Sequence, residues 1–330
     1  MKLFIAPLAV SVVALFAIYL WGGVAALFLA AALAVLEVTL SFDNAVVNAK
    51  VLSEMSQVWQ RRFLTWGILL SVFGTRLVLP IFIVSVVALT SPFAVTMLAI
   101  YNPEEYSTLV LSADAAIKAF GGAFLLMVSL KYFFNVGKKL HWFAPVERHL
   151  AKWGRVEAIE IALALLGLLV VSYISHESVA TVLQAGIIGI ILFTLTEGIA
   201  HGLGVEVKGV ARSGAMLFVY LNILDSAFSL DGVIGAFALT SSLPIIFVGL
   251  GIGAYFVRSL TVYLVRAKTL ESLVYLEHGA HWAIFGLAMT MFAGLVVHVP
   301  EILVATIGFG FIALSYLSSR KANKLGVPSV

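Results

Sequence analysis

The chain has 330 residues, of which 62% are hydrophobic and only 11% are charged, and its formal net charge at neutral pH is +3. A soluble domain carries about 25% charged residues, so the composition excludes an ordinary soluble protein and indicates a chain that lies in lipid. The mean hydropathy of +1.09 agrees with this interpretation. Because cysteine is absent, a disulfide framework, a zinc ribbon and a thiol nucleophile are also excluded.

Ten apolar stretches follow one another along the chain, each long enough to cross a bilayer whose hydrocarbon core is about 30 Å thick. They predict an all-α, polytopic membrane protein with about ten transmembrane helices. We interpret the first stretch as a span and not as a signal peptide, because its apolar run is long for a signal peptide. The predicted spans are 3–21, 24–49, 64–90, 112–134, 158–175, 180–204, 212–240, 244–265, 280–298 and 301–318.

The loops between these spans differ sharply in charge. All but three of the 20 Lys and Arg residues fall in the termini, in the loops on one side of the predicted membrane or at the span ends next to those loops, whereas the opposite loops hold acids such as Glu104 and Glu177. Cytoplasmic loops accumulate Lys and Arg. The pattern therefore predicts a multi-pass protein of the bacterial cytoplasmic (inner) membrane, with both termini in the cytoplasm.

The longest hydrophilic stretch, about residues 135–157, is basic and aromatic and lies on the predicted cytoplasmic side. One hypothesis is that it contacts anionic lipids or regulates the protein. We favour the simpler interpretation, an ordinary positive-inside loop between two halves of the chain, with Trp142 and Trp153 at the membrane interface.

Two of the predicted spans carry the same acidic motif. Each copy reads acid, three residues, Ser, an apolar residue, Asp and then a small or polar residue, and the two copies align without a gap. Three of the four aspartates in the chain lie in these two short segments. The motif residues are Glu37, Ser41, Asp43 and Asn44 in span two, and Asp225, Ser229, Asp231 and Gly232 in span seven.

The two copies of the motif run in opposite directions. Five spans separate them, and because five is odd, span seven crosses the predicted membrane in the direction opposite to span two. This predicts a first repeat over residues 1–175 and a second, inverted repeat over residues 176–330, an arrangement common among transporters. Each half also places one arginine in the span after its motif, Arg76 in the first and Arg258 in the second.

The motif acids require an energetic explanation. A charged side chain at the centre of a membrane helix costs about 2.5 to 3.5 kcal/mol, and four unpaired ones would cost on the order of 10 kcal/mol. Glu37 and Asp43 lie about 120° apart on an ideal helix, so both reach one ion more easily if the helix unwinds between Ser41 and Asn44. We therefore expect spans two and seven to be interrupted helices whose freed carbonyls serve as additional ligands.

The available ligand atoms are carboxylates, the Asn44 amide, hydroxyls and carbonyls. Hard oxygen ligands suit Mg²⁺, Ca²⁺ or Mn²⁺ better than copper or zinc, and the motifs by themselves leave the choice among these three open. The alternative is that the acids only pair with Arg76 and Arg258 and hold helices together. We favour a functional role, because ionisable residues inside a membrane generally mark ion or substrate pathways.

At these motifs the sequence resembles the TerC family of integral membrane proteins, over about residues 25 to 318. The stretch Leu40 to Ala49 is most similar to a branch of uncharacterised TerC-like proteins, within a wider lysine-exporter-type superfamily that also contains amino-acid exporters. The resemblance implies export of a divalent metal, chiefly Mn²⁺, with links to tellurium-ion resistance and to the supply of metal to exported enzymes. Carried onto this chain, it implies as candidate metal ligands Glu37, Asp43, Asn44, Asp225 and Asp231. The second motif departs from the first in having Gly232 in place of Asn44. We therefore expect an asymmetric site.

Several other polar residues are weaker candidates. Glu197 and His201 are four residues apart near the predicted cytoplasmic end of span six, where a metal-entry site or proton relay and a simple interfacial pair are equally plausible. Lys118 serves either as a counterion to the acids or as a side chain that snorkels toward the interface. His278 and His281, near the predicted start of span nine, fit interfacial placement better than metal binding.

We expect a secondary transporter that exports a divalent cation, Mn²⁺ before Ca²⁺ or Mg²⁺, in exchange for protons. No nucleotide-binding motif is present, so an ion gradient would supply the driving force, and no organic cofactor, enzymatic activity or nucleic-acid partner is expected. An alternative is a protein that delivers metal to exported metalloenzymes or assembles with them. A less favoured alternative is an intramembrane aspartyl protease that uses Asp43 and Asp231, because each aspartate follows another acid and no Gly-x-Gly-Asp sequence occurs.

Overall fold

The computed structural model describes residues 2–67, 69–202, 214–267 and 269–325, and these residues form helices and connecting turns without any strand. After a 3-10 turn at Lys2–Phe4, the first half contains α1 (Ile5–Leu40), α2 (Phe42–Ser53), α3 (Gln57–Arg62), two π-helical segments (Phe63–Gly67 and Leu70–Val78), α4 (Leu79–Val87), α5 (Pro92–Tyr101), α6 (Pro103–Ser112), α7 (Asp114–Phe133), α8 (Ala144–Trp153) and α9 (Ile159–Ile174). The second half contains α10 (Val179–Gly202), α11 (Gly214–Leu239), α12 (Leu243–Arg266), α13 (Thr269–Ser272), α14 (Leu276–Ala293) and α15 (Glu301–Lys324).

Seven helical segments within the described ranges are long and apolar enough to cross a membrane. They are α1, the combined segment Leu70–Val87, α7, α10, α11, α12 and α15. The shorter apolar helix α9, with 16 residues, and α14, with 18, coincide with the predicted spans five and nine. The chain is therefore an all-helical, polytopic membrane protein, which confirms the predicted fold class.

The boundary between the first two predicted spans falls at a break inside α1. Gly23 has φ 71° and ψ −162°, which is not a helical conformation, so residues 5–22 and 24–40 form two separate helical segments. Glycine adopts this backbone region readily because it has no Cβ.

The two motif-bearing helices differ from each other in the backbone. Between α1 and α2, Ser41 leaves the helical conformation (φ −100°, ψ 16°), yet the hydrogen bonds from Ser41 N to the Glu37 carbonyl (3.0 Å) and from Ala45 N to the Ser41 carbonyl (3.1 Å) keep the helical direction. The predicted interruption of span two is therefore a single turn residue. Span seven differs from the prediction, since α11 continues through the second motif without a break. Its aspartates find side-chain partners or a cavity, so no backbone carbonyl needs to be released.

The core of the molecule surrounds α7 and α2. Among the seven long segments, α7 is the most deeply buried and lies between α10 and α14, while α1 packs along α12 and is the least buried. Val24 and Phe28 of α1 are largely exposed, as expected of a surface that faces lipid. The helix α2 is enclosed by α11, α12 and α14, and Ala45, Val46 and Ala49 are fully buried. This position brings the first motif to the centre of the bundle.

Candidate functional site

The first acid of the first motif forms a buried ion pair with the arginine of the following span. Glu37 and Arg76 are 2% and 5% exposed, and the Glu37 carboxylate accepts hydrogen bonds from the Arg76 guanidinium and from the Ser41 hydroxyl (3.1 Å). Arg76 lies in the π-helical segment Leu70–Val78, and its guanidinium also donates to the Ser71 carbonyl (2.6 Å) of the same segment. Thus Glu37 is neutralised by a fixed partner.

The first acid of the second motif forms the equivalent pair. Arg258 Nη2 donates to Asp225 Oδ2 at 2.8 Å, and the two residues are 1% and 3% exposed. The guanidinium carbon of Arg258 also lies 4.0 Å from the centre of the Phe63 ring, a cation–π contact. The motif arginines therefore neutralise one acid in each copy. For these two of the four acids, the structure agrees with the alternative in which the acids pair with Arg76 and Arg258.

The two copies of the motif contact each other directly. Asn44 Nδ2, from the first copy, donates to Asp225 Oδ1 of the second copy at 2.8 Å. At the corresponding place in the second copy, a Cβ added to Gly232 would lie 2.9 Å from Glu37 Oε2 of the first copy. The contacts are thus reciprocal, because the last residue of each motif faces the first acid of the other motif. Glycine occurs at position 232 because the carboxylate of Glu37 occupies the space that a side chain would need.

The second acid of the first motif has a different environment. Asp43 is 3% exposed, lies in the first turn of α2, and its Oδ1 accepts the Asn44 backbone N–H at 2.9 Å. No Lys or Arg among the described residues forms an ion pair with Asp43. The amino end of a helix stabilises negative charge through its free N–H groups, so the backbone contact, and not a cation of the described residues, stabilises the Asp43 carboxylate.

The second acid of the other copy opens onto a cavity, here called the Asp231 cavity, of about 240 Å³ between α7, α11 and α15. Asp231 is only partly buried. The other ionisable residues that line the cavity are Asp114, Lys118, His298 and Glu301. Lys118 forms an ion pair with Asp114 at 2.5 Å and lines the same cavity as Asp231.

A second cavity, here called the Lys50 cavity, lies beside the C-terminal half of α2 and has a volume of about 480 Å³. Val47 and Lys50 of α2 line it, one and two helical turns after Asp43, so Asp43 lies on the same helix face one turn away from the cavity. The remaining ionisable residues of its lining are Lys131, Tyr132, Glu160, Glu197, Tyr220, Glu277 and His281.

Of the predicted pair of Glu197 and His201, the structure describes only the side chain of Glu197. Glu197 forms an ion pair with Lys131 of α7 at 3.2 Å, and Lys131 also approaches Glu160 at 3.4 Å. The side chain of His201 lies outside the described residues. Glu197 therefore belongs to the charged wall of the Lys50 cavity.

Three buried polar side chains lie in or beside the motifs. Ser229 is 2% exposed and its hydroxyl has no hydrogen-bond partner among the described residues, and the same holds for Asn44 Oδ1 and for the side-chain amide of Asn48. The oxygens among these atoms are of the type that binds a hard cation or water, whereas the Asn48 amide nitrogen can only donate a hydrogen bond. Among the described residues, no three His, Cys, Asp or Glu side chains are grouped closely enough to hold a metal ion. The predicted ligands therefore contact one another in pairs across the two motifs, and they do not form one complete ligand shell around a metal ion.

Comparison with protein families gives one match, which covers residues 42–326 and is to the family described as protein of unknown function (DUF475). The chain belongs to the DUF475 family. No curated protein matches, and no solved structure matches. The DUF475 match includes both arginines, Asp43 and the whole second motif, whereas Glu37 lies before it.

Two acids inside the DUF475 match were missed by the sequence interpretation. Glu147 of α8 is completely buried, although its loop was interpreted as an ordinary hydrophilic connection. Glu301 lines the Asp231 cavity, and its Oε1 lies against the backbone of α11 where a Cβ on Gly235 would clash. Neither acid belongs to a repeated pattern. A signal for Glu301 was available, since an acid directly after Pro300 begins an otherwise apolar span.

Proposed function

We propose that this DUF475 protein is a secondary transporter that exports a divalent metal cation, with Mn²⁺ as its substrate. The observation that carries the proposal is the division of labour among the four motif acids. Glu37 and Asp225 have fixed arginine partners, whereas Asp43 and Asp231 form no ion pair with an arginine of the described residues and lie toward two cavities at different ends of the motif region.

In this proposal the arginine-paired acids position the site and the other two acids bind the ion. A buried ion pair keeps its two side chains in one geometry, since separating them leaves an uncompensated charge. Glu37 and Asp225 therefore hold Gly232 and Asn44 in register across the two motifs. Asp43 and Asp231 are available to take up a cation or a proton, and Asn44 and Ser229 supply neutral oxygens near them.

The two cavities support alternating access from the two sides of the membrane. By the charge of the loops, the Lys50 cavity faces the cytoplasm and the Asp231 cavity faces the outside. The ion would enter from the Lys50 cavity, pass Asp43, and leave past Asp231. The reciprocal contacts between the motifs support two halves that are inverted relative to each other, since a two-fold relation would produce such contacts.

The choice of a hard divalent cation as substrate follows from the available ligands, which are carboxylates, an amide, hydroxyls and carbonyls. Mn²⁺ is put first because of the resemblance of both motifs to the TerC family. With no preformed group of three acidic or histidine ligands in the described residues, the ion would be held weakly enough to leave. Exchange of the metal for protons on the same carboxylates would couple export to the proton gradient.

Flux measurements in proteoliposomes test the proposal. The purified protein is reconstituted, Mn²⁺ movement is followed with a metal-sensitive dye, and Ca²⁺, Mg²⁺ and a proton gradient are varied. We expect Asp43→Asn and Asp231→Asn to abolish Mn²⁺ flux while the proteins remain folded. Glu104→Gln, which removes an exposed carboxylate of α6, is the matched control and should transport normally.

Two results would contradict the proposal. Normal flux in both aspartate variants would remove the proposed ligands. An absence of flux in the unmodified protein, together with metal-dependent activation of an exported enzyme in cells, would favour the delivery alternative.

A further inference from the structure

The segment between α7 and α9 forms a folded structure with a groove in it. The groove has a volume of about 460 Å³ and lies between the stretch 136–141 and one side of α8. We call it the α8 groove. It is separate from both cavities near the motifs, sharing no residue with the Asp231 cavity and only Val136 with the Lys50 cavity.

The helix α8 is held against the transmembrane bundle by one buried carboxylate. Glu147 accepts hydrogen bonds from Trp282 Nε1 (3.0 Å) and from the backbone N–H groups of Trp142 (3.2 Å) and Phe143 (3.3 Å). It also contacts His278 Nδ1 (2.9 Å), and the Lys138 ammonium lies 2.9 Å away. Trp282 and His278 belong to α14, so these contacts fix the orientation of α8.

The same contacts stabilise the ionised form of the Glu147 carboxyl group. Burial by itself opposes ionisation of Glu147, but the hydrogen bond and charge of His278, followed by those of Lys138, lower its pKa below the ordinary value. Glu147 is therefore ionised at neutral pH and holds the inner face of α8 in place. The outer face of the helix is left exposed.

The groove is lined by basic side chains and by no carboxylate. The basic residues of its lining are Lys138, His141, Arg148, His149, Lys152 and Arg155. Lys138 is already paired with Glu147. Arg148 and Lys152 are exposed and lie four residues apart on one side of α8, and Arg155 is exposed in the turn that follows the helix. The groove thus concentrates positive charge without an internal counterion.

Exposed apolar side chains lie beside these basic groups. Trp153 is 57% exposed, Val146 48% and Val156 57%, and Val136 on the opposite wall is 52% exposed. A short helix with basic residues beside exposed aromatic and aliphatic residues fits the plane of a membrane interface. The basic groups would meet lipid phosphates and the apolar groups would meet the upper acyl chains.

We propose that the α8 groove binds the phosphate of an anionic phospholipid of the leaflet in which it lies. Arg148, Lys152 and Arg155 pair with the headgroup, and Trp153 packs against the glycerol and upper chain. By the predicted orientation this is the cytoplasmic leaflet, whose anionic lipids attract basic segments. The proposal does not depend on transport, since it needs only that the protein lies in a membrane.

Titration of the detergent-purified protein with phosphatidylglycerol tests this, with bound lipid counted by native mass spectrometry. The variant Arg148→Gln/Lys152→Gln/Arg155→Gln should bind phosphatidylglycerol about 100-fold more weakly, since each basic residue near a lipid surface contributes roughly fivefold. The matched control, Arg320→Gln/Lys321→Gln/Lys324→Gln, removes the same charge from the exposed end of α15 and should bind normally. Binding of phosphatidylcholine should be the same for all three proteins.

Further measurements keep the test decisive if the triple variant folds poorly. The charge-conserving variant Arg148→Lys/Lys152→Arg/Arg155→Lys should retain binding, and Trp153→Ala should weaken it with all charges kept. Unchanged phosphatidylglycerol binding in the glutamine variant would overturn the proposal, as would an equal loss in the α15 control. Competition by soluble glycerol phosphate at the same concentration as the lipid would also overturn it, because the groove would then be a site for free anions.

Discussion

Replacing Arg258 by glutamine probes the ion pair that the second motif shares with α12. Arg258 is 1% exposed and contacts Asp225 at 2.8 Å. The substitution removes the cation and leaves the buried Asp225 carboxylate without its ion-pair partner, although Asn44 still donates one neutral hydrogen bond. The structure therefore predicts a large loss of stability from a change that keeps the side chain polar.

The size of the loss has two contributions. Removing one partner of a buried ion pair costs about 3 to 5 kcal/mol. The contact between the guanidinium and the Phe63 ring, at 4.0 Å, contributes about 2 kcal/mol where it is desolvated. In the double variant Asp225→Asn/Arg258→Gln no charge is left unpaired, so only the second contribution is lost. The double variant should therefore be more stable than Arg258→Gln by about 3 kcal/mol or more.

Chemical denaturation of the purified protein in detergent, followed by circular dichroism, measures these differences. Arg266→Gln, an exposed arginine near the end of the same helix, is the control and should change stability by less than about 0.5 kcal/mol. If the double variant is no more stable than Arg258→Gln, the charge pair is not what stabilises this region and the proposed positioning role of Asp225 is wrong.

Three further predictions concern other contacts. Gly232→Ala should cost about 1 to 3 kcal/mol and reduce Mn²⁺ flux, because the added Cβ would lie 2.9 Å from Glu37 Oε2; Gly308→Ala, where nothing lies within 4 Å, should have no such cost. Gly154→Ala should loosen α8, measured as faster hydrogen exchange of its amides, because the Cβ would lie 1.7 Å from the carbonyl oxygen of the residue after α7; slow exchange would contradict this. The pKa of Glu147 is lowered from 4.5, so its stabilisation of α8 is fully present above pH 4.5 and is lost as the pH falls below that value. The protection factors of the α8 amides, which are corrected for the pH dependence of intrinsic exchange, should therefore fall only in acid, and a fall between pH 8 and 6 would refute the assignment.

Pairings between distant residues could not be predicted from the sequence. The sequence placed one arginine after each motif, but it did not show that each arginine pairs with the first acid of its motif and not with the second. It also gave no sign of the contact at Gly232, where Glu37 approaches from another helix. Glu147 was hidden for the same reason, since its partners on α14 lie more than one hundred residues later in the chain.

The sequence by itself determined the helical membrane fold, the boundary at Gly23 and the presence of two acidic motifs. These features depend on local quantities, namely the length of an apolar run against the thickness of a bilayer and the identity of residues a few positions apart. The tertiary structure decided that α11 stays continuous, which acids are neutralised, and that Asp43 and Asp231 lie toward different cavities. Those outcomes depend on which helices pack together, because the energy of a buried charge is set by the partners within a few ångströms and not by its neighbours along the chain.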